Sequence, residues 1–408
     1  MTIFENEIAF VLIIKNESRY IEEWLEYHYR IGVDKFYIYD NDSEDRSELL
    51  KILDPWIRAG IVDIKSISGI RMQMPAYNDA IEKHKFDCRY MGFIDTDEFI
   101  YIKTGQSLLK ILNDHFNQRI EIAGLPINWR MFGTSGRQKY EPIDVIERFI
   151  YRTPDDHLEN IQIKAIVNPR RIAYIETPHN ACYTLGSGCY DLEQNLITKY
   201  YNSDNNCDVI QLNHYFTKSE EEFHEKLSRG RADNGDLRND HDTSNYNDVE
   251  DVGLRNLWRQ IKSQPLPKPK DHSPQKILEN ICEMLEPFTN PNVQSEFFKN
   301  QIETFLTCFF LVRKSTLIDE SERQNLTEFI LQLIDRVLRD KQFDAYQIVL
   351  LIYAHTELLE TKSEIARDIV KRIYSQLPRL IFLAGDITMH AQRFYLQQVQ
   401  KDLALILN

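Results

Sequence analysis

Three carboxylates fall within four positions at Asp95-Thr96-Asp97-Glu98, with apolar and aromatic residues on both sides (Tyr90 to Ile94 before, Phe99 to Tyr101 after). Carboxylates this close repel one another, so a partly buried pair calls for a cation or for protons. A hard divalent ion, Mg²⁺ or Mn²⁺, satisfies such a pair and leaves coordination positions open for phosphate oxygens. Read as the end of a buried strand, the alternation puts Asp95 and Asp97 on one face and Thr96 and Glu98 on the other. The chemistry expected is a metal–diphosphate site. The plain alternative is an exposed acidic turn, because short acidic motifs also arise by chance.

The surrounding elements decide whether such a site can be built. Ala9–Ile14 is a continuous apolar run, the pattern of a strand buried on both faces, and it stops at Lys15-Asn16-Glu17-Ser18. Ser18 is a suitable N-cap for a helix over 19–30. Lys35–Tyr39 reads as a second strand ending in Asp40-Asn41-Asp42, followed by a helix over 46–59 with Gly60 placed to end it. A third strand covers 61–67, Pro75 opens a helix to about Lys85, and the Asp95 strand comes fourth. Strands alternating with helices predict right-handed crossovers and a mostly parallel sheet, whose ligand crevice lies beyond the carboxyl ends of the strands. Glu17, Asp40, Asn41, Asp95 and Asp97 all fall at such ends.

Bulk properties narrow the class. The chain has 408 residues, 42% hydrophobic and 27% charged, with a formal net charge of −14. That balance disfavours nonspecific nucleic-acid binding. It leaves an anionic substrate open, since a bound cation reverses the local field. Six scattered cysteines without a Cys-x-x-Cys pair disfavour a zinc site or disulfide framework, so a reducing cytoplasm is expected. The first residues lack a signal-peptide pattern, and the most apolar segments are too short to cross a bilayer. Neither Gly-x-x-x-x-Gly-Lys-Ser/Thr nor Gly-x-Gly-x-x-Gly follows the first strand, so a P-loop NTPase or dinucleotide oxidoreductase is disfavoured.

An ordered series of segments resembles the GT-A glycosyltransferases of family 92 (the DUF23 group) and their glycosyltransferase-2-like relatives. It comprises Lys15-Asn16-Glu17, Glu23-Trp24-Leu25-Glu26-Tyr27-His28, Ile38 to Asp45, Gln73 with Asn78-Asp79, and Phe93 to Phe99. Farther on come Asn128 to Gly136, Glu147-Arg148-Phe149, Lys164, Pro178-His179, Asn213 to Ser219 and Lys226. The resemblance spans roughly 7 to 232. It implies transfer of a sugar from a nucleotide-sugar donor, most often a UDP-sugar such as UDP-galactose, with inversion and with Mn²⁺ or Mg²⁺. Carried onto this chain, it assigns Glu17, Asp40, Asn41, Gln73, Asn78 and Asp95 to the donor nucleotide, and Lys218 to the diphosphate. Asp95 and Asp97 carry the metal role, with His214 completing the shell. For the catalytic base Glu147, Asp155, Asp156 and His179 all remain open, and the motif favours Glu147 or His179. Lys218, Lys226, Arg229 and Arg231 form a basic cluster that either grips the diphosphate or makes a solvated helix face.

Other residues are weighed against plain packing. Trp129 and Phe132 are an acceptor-stacking platform or, more simply, core. Gly133 to Gly136 reads as a functional loop, and His28, at core-facing helical spacing, as a structural histidine. Residues 233–251 look like a flexible connector and 263–273 is proline-rich. Beyond it, stripes such as Ile277, Ile281, Leu285 and Phe305, Phe309 have helical period. The expected organisation is an α/β GT-A catalytic domain over 1–240, a linker over 241–273 and an all-α domain over 274–408. The acceptor expected is a glycan or lipid-linked glycan, with homo-oligomerisation or peripheral membrane contact through the helical domain. A sugar-phosphate nucleotidyltransferase and a non-catalytic nucleotide-sugar-binding scaffold are the rivals.

Overall fold

The computed structural model describes residues 4–228, 243, 245–271, 273–289, 301–339, 345–383 and 390–407. The chain divides into two compact units: one formed by Asn6–Cys182 with Gly188–Lys270, the other built mainly of Asp271–Asn408.

In the first unit β1 (Asn6–Ile14), α1 (Ile21–Arg30), β2 (Lys35–Asn41), α2 (Arg46–Arg58), β3 (Val62–Ile67), α3 (Gln73–His84) and β4 (Cys88–Phe93) follow one another. The strands pair in parallel in the order β3-β2-β1-β4. Ile8, Ala9, Phe10, Val11 and Leu12 of β1 are fully buried, as a central strand covered on both faces requires. Gly60, at φ +72°, closes α2 with its own N–H on the Ile57 carbonyl and that of Ile61 on Trp56. Ser18 does not cap α1. The helix starts at Ile21 without a side-chain cap, and the Ser18 amide instead donates to Asp45.

Beyond β4 the sheet becomes mixed. The strand Ile163–Val167 pairs antiparallel with β4 and with β6 (Ile122–Met131), and Ile210–His214 runs parallel to β6. β5 (Glu98–Ile102) pairs antiparallel with Ile210–His214. This mixed, mostly parallel sheet flanked by helices is the GT-A arrangement expected.

One difference matters for the site. β4 ends at Phe93 and β5 begins at Glu98, so Asp95, Thr96 and Asp97 form the turn between two strands rather than alternating along one. Glu98 explains the turn: its carboxylate accepts from the Asp95 amide at 2.8 Å, and its amide donates back to the Asp95 carbonyl at 3.0 Å. The edge of β5 away from Ile210–His214 is satisfied by side chains of α1. Trp24 Nε1 donates to the Glu98 carbonyl at 2.9 Å, Tyr27 to the Ile100 carbonyl at 2.5 Å, and His28 Nε2 accepts from the Ile100 amide at 3.4 Å. His28 is therefore the structural histidine expected, and burial pushes its pKa down to about 3.

Residues 253–262, expected as part of a linker, form the helix Gly253–Lys262. Its Leu254 and Trp258 are buried in the core of this unit, and Trp258 Nε1 donates to Asp144 at 2.8 Å. The second unit consists, among the described residues, of helices, including Pro274–Leu285, Ile302–Lys314, Glu320–Arg339 and Glu364–Leu383. Ile277, Ile281 and Leu285, with Phe305 and Phe309, are buried as their spacing required.

Candidate active site

Asn16 (φ 58°), Asp42 (54°), Arg71 (60°) and Lys218 (53°), in the loops after β1, β2, β3 and Ile210–His214, are among the non-glycine residues in the left-handed region. Such conformations persist where surrounding bonds over-determine them, often beside functional sites. Asn16 accepts from the Glu44 amide at 2.8 Å, and Asp42 accepts from Ser68 at 2.7 Å, so the loops after β1, β2 and β3 brace one another. They open onto a cleft of about 680 Å³, within the range of small-molecule sites.

The DTDE turn forms its floor. The two aspartates have different partners. Asp95 accepts from Lys164 Nζ at 2.8 Å, Tyr77 at 3.2 Å and Gln73 at 3.3 Å. Lys164 is 1% exposed and also lies 3.6 Å from the fully buried Glu98. Burial alone would lower the Lys164 pKa, but Asp95 and Glu98 outweigh it and raise it. Burial, with the charges of Asp95 and Asp97, holds the Glu98 carboxyl well above its usual range against the opposing pull of Lys164.

Asp97 sits deeper. Its carboxylate pairs with Lys226 and lies 3.4 Å from His214 Nε2. Burial would raise its pKa, yet the Lys226 ammonium and then His214 hold it well below the carboxylate range. Burial lowers the His214 pKa despite the pull of Asp97, which favours the neutral ring. His214 Nδ1 is buried and has no hydrogen-bond partner among the described residues.

Lys226 is positioned by the helix Glu220–Ser228. Glu222, buried, takes a two-pronged ion pair from Arg148 (2.7 and 3.0 Å) and a hydrogen bond from Tyr20 at 2.9 Å. Burial opposes its ionisation, but Arg148 and Ser219 pull its pKa down to about 2. One helical turn later Lys226 projects from the same face onto Asp97. Across the cleft, His179 Nδ1 lies 3.0 Å from the Ile163 carbonyl. A carbonyl only accepts, so Nδ1 carries the proton and Nε2 keeps its lone pair. Burial and then the Lys164 charge lower its pKa to about 4. The Trp129 ring lies between the two histidines, 5.3 Å from His179 and 4.3 Å from His214.

The structure brings Glu17, Asn41, Gln73, Asp95, Asp97, His179, His214 and Lys218 to this cleft. It does not bring the others. Glu147 lies outside, clasped by Arg259 through both carboxylate oxygens. Asp40 is buried beneath the loop it organises, ion-paired with Arg46 and accepting from the Ser43 amide at 3.2 Å. Asn78 is spent on backbone: its Nδ2 donates to Met74 and Ile175, and its Oδ1 accepts from Ile175. Asp155 is paired with Arg152 at 2.9 Å, outside the cleft lining. Asp95 is engaged by Lys164 as Asp97 is by Lys226, so both expected metal ligands are ion-paired to a lysine.

Phe132 is core, whereas Trp129 lines the cleft. Gly133 is needed for packing: a Cβ there would stand 2.4 Å from the Tyr246 carbonyl oxygen. Arg229 and Arg231 lie outside the described residues. Lys164, one of the residues that carry the family resemblance, receives no role from sequence; its strand position alone does not show that it faces Asp95.

Among the described residues no three metal-ligating side chains cluster. Asp97 and His214 stand at a spacing that suits a shared ion, although the Asp97 oxygen nearest His214 is the one paired with Lys226, whose ammonium an ion would have to displace. Neighbouring ligands of an octahedral ion with bonds of about 2.1 Å stand about 3 Å apart, and this pair is 3.4 Å apart. The remaining coordination would come from outside the protein.

A model of glycosyltransferase family 92 matches residues 13–251, more than half of the chain. The chain belongs to glycosyltransferase family 92. Similar curated proteins include family 92 members from Ricinus communis (27% identical over 229 residues, 55% of this chain and 38% of the relative) and Oryza sativa (26% over 275 residues, 64% and 40%). A galactan β-1,4-galactosyltransferase of Arabidopsis thaliana is 31% identical over 103 residues, 23% of this chain and 21% of its own. This family 92 chain therefore spans about two fifths of the length of the first two relatives. Among solved structures, S. aureus TarS (residues 1–349) aligns over 86% of this chain and 92% of its own, at 15% identity and a TM-score of 0.30.

Proposed function

We propose that the chain transfers a sugar, galactose being the first choice, from a UDP-sugar to a hydroxyl of a glycan or lipid-linked glycan acceptor, with inversion. The observation that carries this reading is the convergence of Asp97, His214 and Lys226 on the cleft floor opposite a neutral His179. In this reading Glu17, Asn41 and Gln73 face the nucleotide. Lys226 and Lys218 balance the diphosphate charge that grows as the sugar–phosphate bond breaks. Asp97 and His214 would hold a Mn²⁺ or Mg²⁺ ion, which would supply Lewis-acid stabilisation of the departing diphosphate. His179 Nε2, with its lone pair fixed by the Nδ1–H bond to Ile163, takes the proton of the acceptor hydroxyl. The acceptor oxygen then bonds to the anomeric carbon from the face opposite the leaving UDP. Trp129, packed between the two imidazoles, offers the sugar an apolar ring surface on the cleft wall.

No helix of the described residues is long and apolar enough to cross a membrane. We place the reaction at a cytoplasmic membrane face, where a lipid-linked acceptor would present its glycan. Release of UDP from UDP-galactose in the presence of Mn²⁺ tests the reading. Slow release by the wild type, lost in Asp97→Ala and retained in Glu147→Ala, supports it. Absence of release with every UDP-sugar offered would favour the scaffold alternative.

A further inference from the structure

The helical unit contains a cleft of its own, of about 330 Å³, formed by the helices Glu320–Arg339, Ala345–Tyr353 and Glu364–Leu383. Three guanidinium-bearing residues line it: Arg339, Arg372 and Arg379. Asp335, buried at 6% exposure, aims two of them: Arg339 reaches it at 2.6 Å and Arg372 at 3.5 Å. Arg379 has no side-chain ion pair or hydrogen bond among the described residues. Asp368, one turn before Arg372, is ion-paired with Lys371 at 3.4 Å, and these two cancel. Three guanidinium groups against one carboxylate leave two positive charges unbalanced, in a chain whose formal net charge is −14.

The same helix carries a second feature. Ala366, Ile369, Val370, Ile373, Leu377 and Leu380 form its buried face. Arg372, Arg379, Phe382 and Leu383, spaced by sevens, threes and fours, share another. Phe382 is 82% exposed and Leu383 47% exposed. A large aromatic presented to water beside guanidinium groups that outnumber their carboxylate is the composition of an interfacial helix. The apolar groups enter the headgroup boundary while arginines pair with phosphate oxygens two at a time.

We propose that this face of the helical unit docks on an anionic membrane surface, with a lipid phosphoryl headgroup seated among Arg339, Arg372 and Arg379 and with Phe382 and Leu383 entering the interface. The contact holds the enzyme beside lipid-linked acceptors and takes no part in the chemistry of the cleft at Asp97.

Co-sedimentation of the full chain with phosphatidylcholine vesicles, with and without phosphatidylglycerol, tests it. Association is expected only with the anionic vesicles, and high salt should release it. Each guanidinium removed should weaken association about fivefold, so Arg372→Gln with Arg379→Gln should weaken it about 25-fold. Phe382→Ser, which leaves every ion pair intact, should weaken it independently. Failure of the wild type to sediment with anionic vesicles overturns the proposal. So does undiminished binding by the double variant, self-association of the chain through this face in place of vesicle binding, or equal competition by inorganic phosphate with no vesicle contact. UDP release should be the same in all these variants, so loss of membrane binding and loss of transfer are separately visible.

Discussion

Lys164 offers the sharpest test of the electrostatics under the site. Replacing it by Met keeps the volume of the stem and removes the charge. Its ammonium, 1% exposed, serves Asp95 at 2.8 Å and the fully buried Glu98 at 3.6 Å. Removing one partner from a buried ion pair costs about 3–5 kcal/mol, because the other charge stays behind. Asp95 is 34% exposed, so solvent screens its share, and about 3 kcal/mol is the fitting figure.

At about 2 °C per kcal/mol for a unit of this size, the melting temperature should fall about 6 °C. The sign with pH follows from Glu98, whose folded pKa is already raised and rises further without the ammonium. A carboxyl of that kind loses stability as pH climbs from the unfolded value of about 4.3 towards the folded one. The deficit of Lys164→Met should therefore be small near pH 5 and full at pH 8, and Glu98→Gln in the same chain should recover much of it. Scanning calorimetry of the full chain at the two pH values reads this directly. A Lys164→Met melting temperature unchanged at pH 8, or a deficit as large at pH 5, would refute the reasoning.

Further outcomes follow from the same geometry. His179, with a pKa of about 4, is neutral throughout the physiological range, so the transfer rate should be flat from pH 6 to 8 and fall only towards pH 4. His179→Ala should reduce kcat by about 10²–10⁴-fold while calorimetric UDP binding persists. Glu147→Ala should leave transfer rates unchanged and remove only an exposed pair with Arg259, worth about 0–1 kcal/mol, as a melting curve would register. Asn78→Ala strips the partners from three backbone groups and should cost about 1–3 kcal/mol, visible in a urea melt with UDP binding otherwise intact.

The parallel half of the sheet was legible because its signals are local: apolar runs of strand length, polar stops and a capping glycine. Asp97 and His214 are far apart in sequence, yet the resemblance named both, and the antiparallel register of Glu98 with His214 explains why they meet. The pairing of Lys164 with Asp95 and of Lys226 with Asp97 was not legible, since only the tertiary fold shows a lysine facing a carboxylate, although Lys226 already stood in the basic cluster expected at the diphosphate. Asp40 and Asn78 misled for a related reason. Amide and acid side chains that organise a loop have the same composition as ones that bind a ligand, and only their hydrogen bonds tell them apart. The helix Gly253–Lys262 carries a stripe at Leu254, Trp258 and Ile261, but the proline-rich stretch beside it made the whole segment read as a connector. The turn at Asp95 reads as strand from sequence because alternation cannot reveal that Glu98 bends back to cap the Asp95 amide.

The most direct test is a crystal structure of the chain with Mn²⁺ and UDP, using the anomalous signal to locate the ion. The peak is expected in contact with Asp97 and His214, bridging to the diphosphate, with Asp95 still on Lys164. A peak held elsewhere, or UDP bound outside this cleft, would contradict the account.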